Sequence, residues 1–427
     1  MSVVSTVIPF PRFQPPIPDS LEKLGVPEIL VQDLVLRRVF IERTSTLASL
    51  ARALKLAPSV VETVFRQMRH RQLVEVLGMV GNDYTFALSG QGRQLAQERF
   101  QMTHYAGACP VSLADYHAGV KAQAARVEVN REKLRRALSD LVLPDALLDQ
   151  LGPAIISQAP LFLYGSTGNG KTSLAERLVR LYEDDVLIPY AVEVDSQIII
   201  LYDPVVHQRV EEDEEADRDV DPRWVRCKRP CILAGGELVP SMLELRMDEA
   251  TGTYAAPIQM KANNGILVID DFGRQLIPPR DLLNRWIVPL DRRVDYLMLR
   301  YGVKFQIPFE MMVVFATNLD PSALADEAFL RRIRNKILVE EISAEIFDEI
   351  LRRCAASLGI PYQQEQAEYL RALILRDGRT VLRACYPGDI CRILLCISRY
   401  EGRKPEMRAA DLERAVALYF ARSEGAI

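Results

Sequence analysis

Residues 161–178 read LFLYGSTGNGKTSLAERL. An apolar run stops at a glycine-rich turn, and a helix restarts with Thr172 and Ser173 at its head. The turn itself, Gly165, Ser166, Thr167, Gly168, Asn169, Gly170, Lys171, Thr172, fits G-x-x-x-x-G-K-[ST] without deviation. Glycines let successive backbone N–H groups close around an anion, and the helix that follows turns its positive end on the same point. Lys171 is expected to reach the β- and γ-phosphates of a nucleoside triphosphate, and the Thr172 hydroxyl to ligate Mg²⁺. From 160 to 340 apolar strands alternate with helical stretches, which predicts an α/β domain with a mostly parallel sheet.

About a hundred residues on, Gly265-Ile-Leu-Val-Ile-Asp270-Asp271 is a buried strand ending in two carboxylates. Asp270 would hold the Mg²⁺, directly or through water, and Asp271 is placed to polarise an attacking water. A strand-end Asp pair alone often just caps the next helix; downstream of the 165–172 turn the metal reading is the better one. A third strand, Met311 to Asn318, ends in Thr and Asn. DEAFLRRI (326–333) then sets Arg331 and Arg332 side by side after an acidic pair.

The rest of the chain divides around this core. MSVVSTVIPFPRFQPPIPDS is proline-rich and lacks a basic segment followed by a long apolar core, so residues 1–20 read as a disordered tail and not a signal peptide. No apolar run approaches the length that spans a bilayer. A soluble cytoplasmic protein without a membrane partner is the expectation. Residues 26–42 have apolar positions at helical spacing, TSTLASLARALK follows behind a Thr/Ser cap, and APSVVETVFRQMRHRQ starts with Pro58 and Ser59. LVEVLGMVGNDYTFALS is a hairpin signal around a Gly-Asn-Asp turn, and GQGRQLAQERF is a closing helix. That order is a winged helix-turn-helix over 21–104, with 59–72 in the recognition-helix position. Residues 105–150 read as helical linker, 151–341 as the α/β domain, and 342–427 as a helical bundle.

A net charge of −4 over 427 residues argues against a protein that coats nucleic acid along its whole surface, though not against a local basic patch. The 7 cysteines form no CxxC pair, so buried thiols in a reducing compartment are the plain reading. The acidic run EEDEEADRDVD (211–221) reads as a solvated loop, because like charges repel and resist burial.

Taken in order, the 165–172 turn, the 266–271 strand, Asn318, the Arg331–Arg332 pair and the helical tail resemble the AAA+ ATPases over roughly residues 150–422. The resemblance implies a P-loop core whose Walker A residues (Gly165 to Ser173) hold ATP, with Walker B at 266–271 and a helical lid. It implies sensor 1 at Asn318, an arginine finger at Arg331 or Arg332, and a homo-oligomeric hexameric ring of the family's kind. The stretch 294–310 reads as a hairpin before the sensor 1 strand, similar to MoxR-type members. Two positions depart from the family. Asp271 stands where Glu is usual, which withdraws the carboxylate by about one methylene, and catalytic geometry tolerates only small errors. The sensor 2 stretch reads Tyr386-Pro387-Gly388-Asp389, with Gly388 in the expected place and Arg392 one turn on as the candidate.

Two uses of the ATP remain open on the sequence. The chain either remodels protein partners, with the winged helix as an adaptor contact, or acts on DNA, with the winged helix as reader. Arg52, Arg66, Arg69 and Arg71 favour DNA; Glu62 on the same helix and the charge balance oppose it. A metabolic kinase is a distant third, because a lid plus an arginine pair suits a site between subunits.

Overall fold

The computed structural model describes residues 13–81, 83–124, 128–211, 218–324, 330–376 and 380–420. The centre of the ATP-motif region is a five-stranded sheet in the order Cys231–Ala234, Ile266–Ile269, Met312–Thr317, Leu161–Tyr164, Asn335–Leu338. Every adjacent pair in it is parallel. Its strands are apolar on both faces because helices and inserts cover both, as parallel sheets require. Phe162, Phe272 and Phe315 pack on one face; Leu161, Leu163, Val268 and Val314 pack on the other.

A second sheet of five strands is assembled from segments far apart in sequence: Arg246–Asp248, Thr253–Ala255, Gln197–Ile200, Ala191–Val194 and Val111–Ser112. The hairpin Val294–Met298 with Lys304–Pro308 lays Leu297, Phe305 and Ile307 onto the core of this second sheet. The expected helical linker therefore differs in part. Residues 111–112 form a strand paired with Val192 and Glu193, and only then does the helix Leu113–Ala122 begin.

The N-terminal module holds helices Glu28–Glu42, Leu47–Leu54 and Pro58–His70, then strands Val74–Val80 and Asp83–Leu88, then helix Gly90–Met102. Thr46 and Ser89 cap their helices by accepting from Ser49 N at 3.2 Å and Gly92 N at 3.0 Å. A short strand, Thr44–Thr46, joins the hairpin, leaving Val74–Val80 at the sheet edge. The module's core (Val31, Leu34, Leu50, Val64, Phe86) runs on into Cys109 and into Ala191 and Ile198 of the second sheet.

The proline-rich stretch is a correction in its second half. Phe13 meets the Trp224 ring edge-on at 5.3 Å, and Asp221 N donates to Pro15 O at 2.9 Å. Residues 1–12 lie outside the described residues, as do 212–217 of the acidic run and the acidic pair at 326–327. Beside them, Arg223 is 2% exposed and pairs with the equally buried Asp221 at 2.8 Å. The same guanidinium donates to Leu24 O at 3.2 Å and to Pro110 O at 3.0 Å. One side chain thus ties the insert to the N-terminal module and to the segment between them.

Helices Ala344–Ser357, Gln364–Ile374, Cys385–Tyr400 and Ala409–Tyr419 form a bundle around Phe347, Leu370, Ile390 and Leu412. Among the described residues no helix is long and apolar enough to cross a membrane.

Candidate nucleotide-binding site

In a parallel sheet, ligands gather where strands end and loops begin. The glycine-rich loop follows Tyr164, the carboxylates follow Ile269, and Asn318 follows Thr317, all at the carboxyl edge of the sheet. The strand ending in Thr317 lies between the other two, so Asn318 is delivered to the middle of the site.

The loop has left-handed backbone at Gly165 (φ 134°), Gly168 (φ 84°) and Gly170 (φ 82°). A Cβ on Gly165 would stand 2.4 Å from the Val339 carbonyl oxygen, so only glycine fits there. Lys171, 8% exposed, opens the helix Lys171–Arg177 and donates to Gly165 O at 2.8 Å and Ser166 O at 2.9 Å. Burial holds its ammonium below the ordinary lysine value; the charges of Asp270 and Asp271 work against that, and the Arg383 guanidinium adds to it.

Thr172 Oγ1 donates to Asp270 Oδ1 at 2.8 Å. A hydroxyl and a carboxylate side by side, next to a buried lysine, are the hard oxygen donors that suit Mg²⁺. Asn318 Nδ2 donates to Thr167 Oγ1 at 3.0 Å, which joins the third strand to the loop. Behind it, Thr317 Oγ1 donates to Phe272 O at 2.7 Å and Phe272 N to Ala316 O at 2.8 Å, so the strand ends hold one another in register.

Asp271 is exposed and has left-handed backbone, φ 48°. Asp and Asn adopt that region several-fold more readily than other non-glycine residues. The backbone thus supplies a physical reason for the shorter acid at this position.

Arg331 and Arg332 are placed elsewhere. They precede the strand Asn335–Leu338, which runs parallel to Leu161–Tyr164, so they stand at the amino edge of the sheet. With Arg293, Arg334 and Asp291 they line a cavity of about 500 Å³. Arg332 Nε donates to Asp291 at 2.8 Å. The strand between this cavity and the loop is more than about 10 Å long at 3.3 Å per residue, so both arginines stand at the far end of the sheet from their own chain's loop.

The bundle contributes a different arginine from the one expected. Arg392 is 74% exposed along its side chain and bonds Asp389 on its own helix at 3.0 Å. Arg383 is the one that packs on the loop, its Cδ 3.5 Å from where a Gly168 Cβ would be. Cys385 N donates to Gly168 O at 2.9 Å, which docks the start of the bundle's third helix on the loop. The Arg383 Nε is buried without a partner, and its guanidinium lies 6.0 Å from the Tyr386 ring. Arg383 escapes a periodicity-based reading because it sits in irregular chain before the helix.

Residues 343–418, the bundle, match a family model described as a domain of unknown function, DUF8689. No curated protein matches the chain. Among solved structures, NtrX from Brucella abortus is similar at 15% identity, over 68% of this chain and 60% of that one, with a TM-score of 0.41. A RuvB mutant from Thermotoga maritima is similar at 11% identity, over 68% of this chain and 71% of that one, with a TM-score of 0.36. The chain thus spans about 60% of the NtrX chain it matches.

Proposed function

We propose that the chain is a ring-forming AAA+ ATPase that couples ATP hydrolysis to remodelling of protein partners. The observation that carries the ATPase reading is the convergence of Lys171, the Thr172–Asp270 pair and Asn318 on one loop, with the bundle's Arg383 docked against it. In this reading the loop amides and Lys171 grip the phosphates, and Thr172 and Asp270 hold Mg²⁺. Asp271 orients the attacking water, Asn318 fixes it against the γ-phosphate, and Arg383 reports closure of the lid. A metal held by Thr172 and Asp270 would supply Lewis-acid charge to the phosphates.

The same reading assigns the lid role to Arg383 and none to Arg392. Arg383→Ala is expected to lower steady-state ATP turnover about 10²–10³-fold, as loss of one transition-state donor does. Arg392→Ala should stay within about twofold, because a surface arginine paired on its own helix contributes little. Equal losses in the two variants would reverse the assignment.

The N-terminal module is read as a winged helix that docks protein. Its wing favours that reading over DNA. Leu77, Met79 and Val80 are 58%, 58% and 70% exposed on the edge strand, and Glu75 is that strand's only charge. A wing meant for phosphates needs cations, since counterion release supplies most of non-specific DNA affinity. On the recognition helix, Arg66 is paired with Glu62 at 3.1 Å and Arg71 donates to Gln32 at 3.0 Å.

ATP turnover of the full-length chain should therefore be unchanged, within about twofold, by duplex or single-stranded DNA at about 150 mM salt. Strong stimulation that Arg66→Glu and Arg69→Glu abolish would install the DNA reading in its place.

A further inference from the structure

Helix Glu28–Glu42 carries Arg37 into the N-terminal module at 3% exposure. Among the described residues its guanidinium makes no hydrogen bond and no ion pair, and its Nε is sealed from solvent. The other buried arginines of the described residues are paired, Arg223 with Asp221 at 2.8 Å and Arg229 with Asp184 at 2.6 Å. A cation taken out of water without a partner is strongly unfavourable, so Arg37 calls for an explanation.

Its surroundings are rich in positive charge. Asp33, one turn earlier on the same helix, lies 3.4 Å from the Nε of Arg99, on helix Gly90–Met102. Arg71 follows helix Pro58–His70 and donates to Gln32, the residue before Asp33, at 3.0 Å. Burial raises the Asp33 carboxyl above its ordinary value, and the charges of Arg99, Arg37 and Arg71 oppose that rise. Burial also pulls Arg37 down to about 10; Asp33 and Tyr105 oppose the fall and Arg99 adds to it. Arg37 is therefore still a cation at neutral pH. Tyr105 offers it no acceptor in exchange, because its hydroxyl is turned to donate to Ala108 O at 2.7 Å. Three guanidiniums thus act on one carboxylate, an excess of two positive charges where helix Glu28–Glu42 packs on its neighbours.

That excess selects the ligand. A guanidinium only donates, so the missing partner is an acceptor. A carboxylate or a phosphodiester brings one negative charge and leaves one cation over. A phosphate dianion or a phosphomonoester brings close to two at neutral pH, with several oxygens to receive forked N–H groups.

We propose that the N-terminal module holds a phosphate dianion, free or as a phosphomonoester, among Arg37, Arg99 and Arg71. The site lies in a different part of the chain from the glycine-rich loop and does not depend on the ATPase reading.

The test is thermal melting of the full-length Lys171→Ala chain, which silences the glycine-rich loop, with and without Arg37→Met. Inorganic phosphate and O-phosphoserine are each compared with chloride at equal ionic strength. In chloride Arg37→Met should melt at or above its parent, because an apolar chain of similar length replaces an unpaired buried cation. In phosphate the order should reverse, since only the parent gains stability from the bound anion. Calorimetric titration should show phosphate weakened roughly tenfold or more by Arg37→Met and by Arg99→Gln, as loss of one charge-assisted hydrogen bond gives. Arg99 is partly exposed, so its variant decides the matter if Arg37→Met fails to fold. A response to both anions would support the monoester, and a response to inorganic phosphate alone the free ion. Affinity that neither variant changes would overturn the proposal, as would no response to either anion. An Arg37→Met chain that melts below its parent in chloride and phosphate alike would make Arg37 a structural cation and overturn it too.

Discussion

Lys171→Ala is expected to lose ATP binding by a hundredfold or more while the N-terminal module keeps its fold. Each charge-assisted hydrogen bond from a buried ammonium contributes roughly 1.5–3 kcal/mol, and in the proposed reading the lysine serves two phosphates. Two such bonds amount to at least about 3 kcal/mol, and every 1.4 kcal/mol is tenfold in affinity. The loss falls on the ligand and spares the fold for a structural reason. The Lys171 ammonium bonds only the Gly165 and Ser166 carbonyls of its own loop, and neither bond is part of a core. The N-terminal core is built from Val31, Leu34, Leu50 and Phe86, in another part of the molecule. Titration with ATP alongside a thermal melt checks both halves, and unchanged affinity would refute the assignment of Lys171.

The Arg331→Ala/Arg332→Ala chain should be inactive alone, with turnover lower by about 10³–10⁵, the range for loss of an arginine finger. Its partner site is expected in a neighbouring copy. These arginines stand at the amino edge of the sheet, across the strand Asn335–Leu338 from their own loop. Mixing this chain with Lys171→Ala chains should restore part of the activity, because a ring then contains interfaces with an intact loop on one side and intact arginines on the other. In a preparation shown to exchange subunits, mixing that restores nothing would count against a role in trans. The Arg332–Asp291 bond adds a secondary expectation: Asp291→Asn weakens that contact and should change turnover less than loss of the arginines.

The contrast between Arg383 and Arg392 shows where the sequence is readable. The strand Leu161–Tyr164, the turn after it and the helix Lys171–Arg177 are consecutive, so their order alone displays the phosphate cradle. The strands ending in Ile269 and Thr317 are short continuous apolar runs with polar residues at their ends, and that pattern is equally local. Arg392 attracts attention because it is one turn from Gly388 on a clear helix. Arg383 has no periodic context, and only the docking of Cys385 N on Gly168 O brings it to the loop. The second sheet hid for a similar reason. Val111–Ser112 is two residues long and its partner is Val192–Glu193, so neither alternation nor a turn signal marks it. Phe13 likewise looks like part of a proline-rich tail until Trp224 is placed against it.

Arg223 carries a consequence for how such a chain can be dissected or recombined. Its guanidinium is satisfied by Asp221, by Leu24 O and by Pro110 O, from three separated stretches. Cutting after residue 104 removes the Leu24 acceptor and leaves the guanidinium with Asp221 and Pro110 O alone of these three. Losing one acceptor of a charged donor costs about 1–3 kcal/mol, a sizeable share of the 5–15 kcal/mol that holds a typical domain together. A deletion or domain swap at that boundary is therefore expected to be better tolerated when Arg223 is replaced in the same step, so the N-terminal module and residues 218–228 are expected to be inherited together.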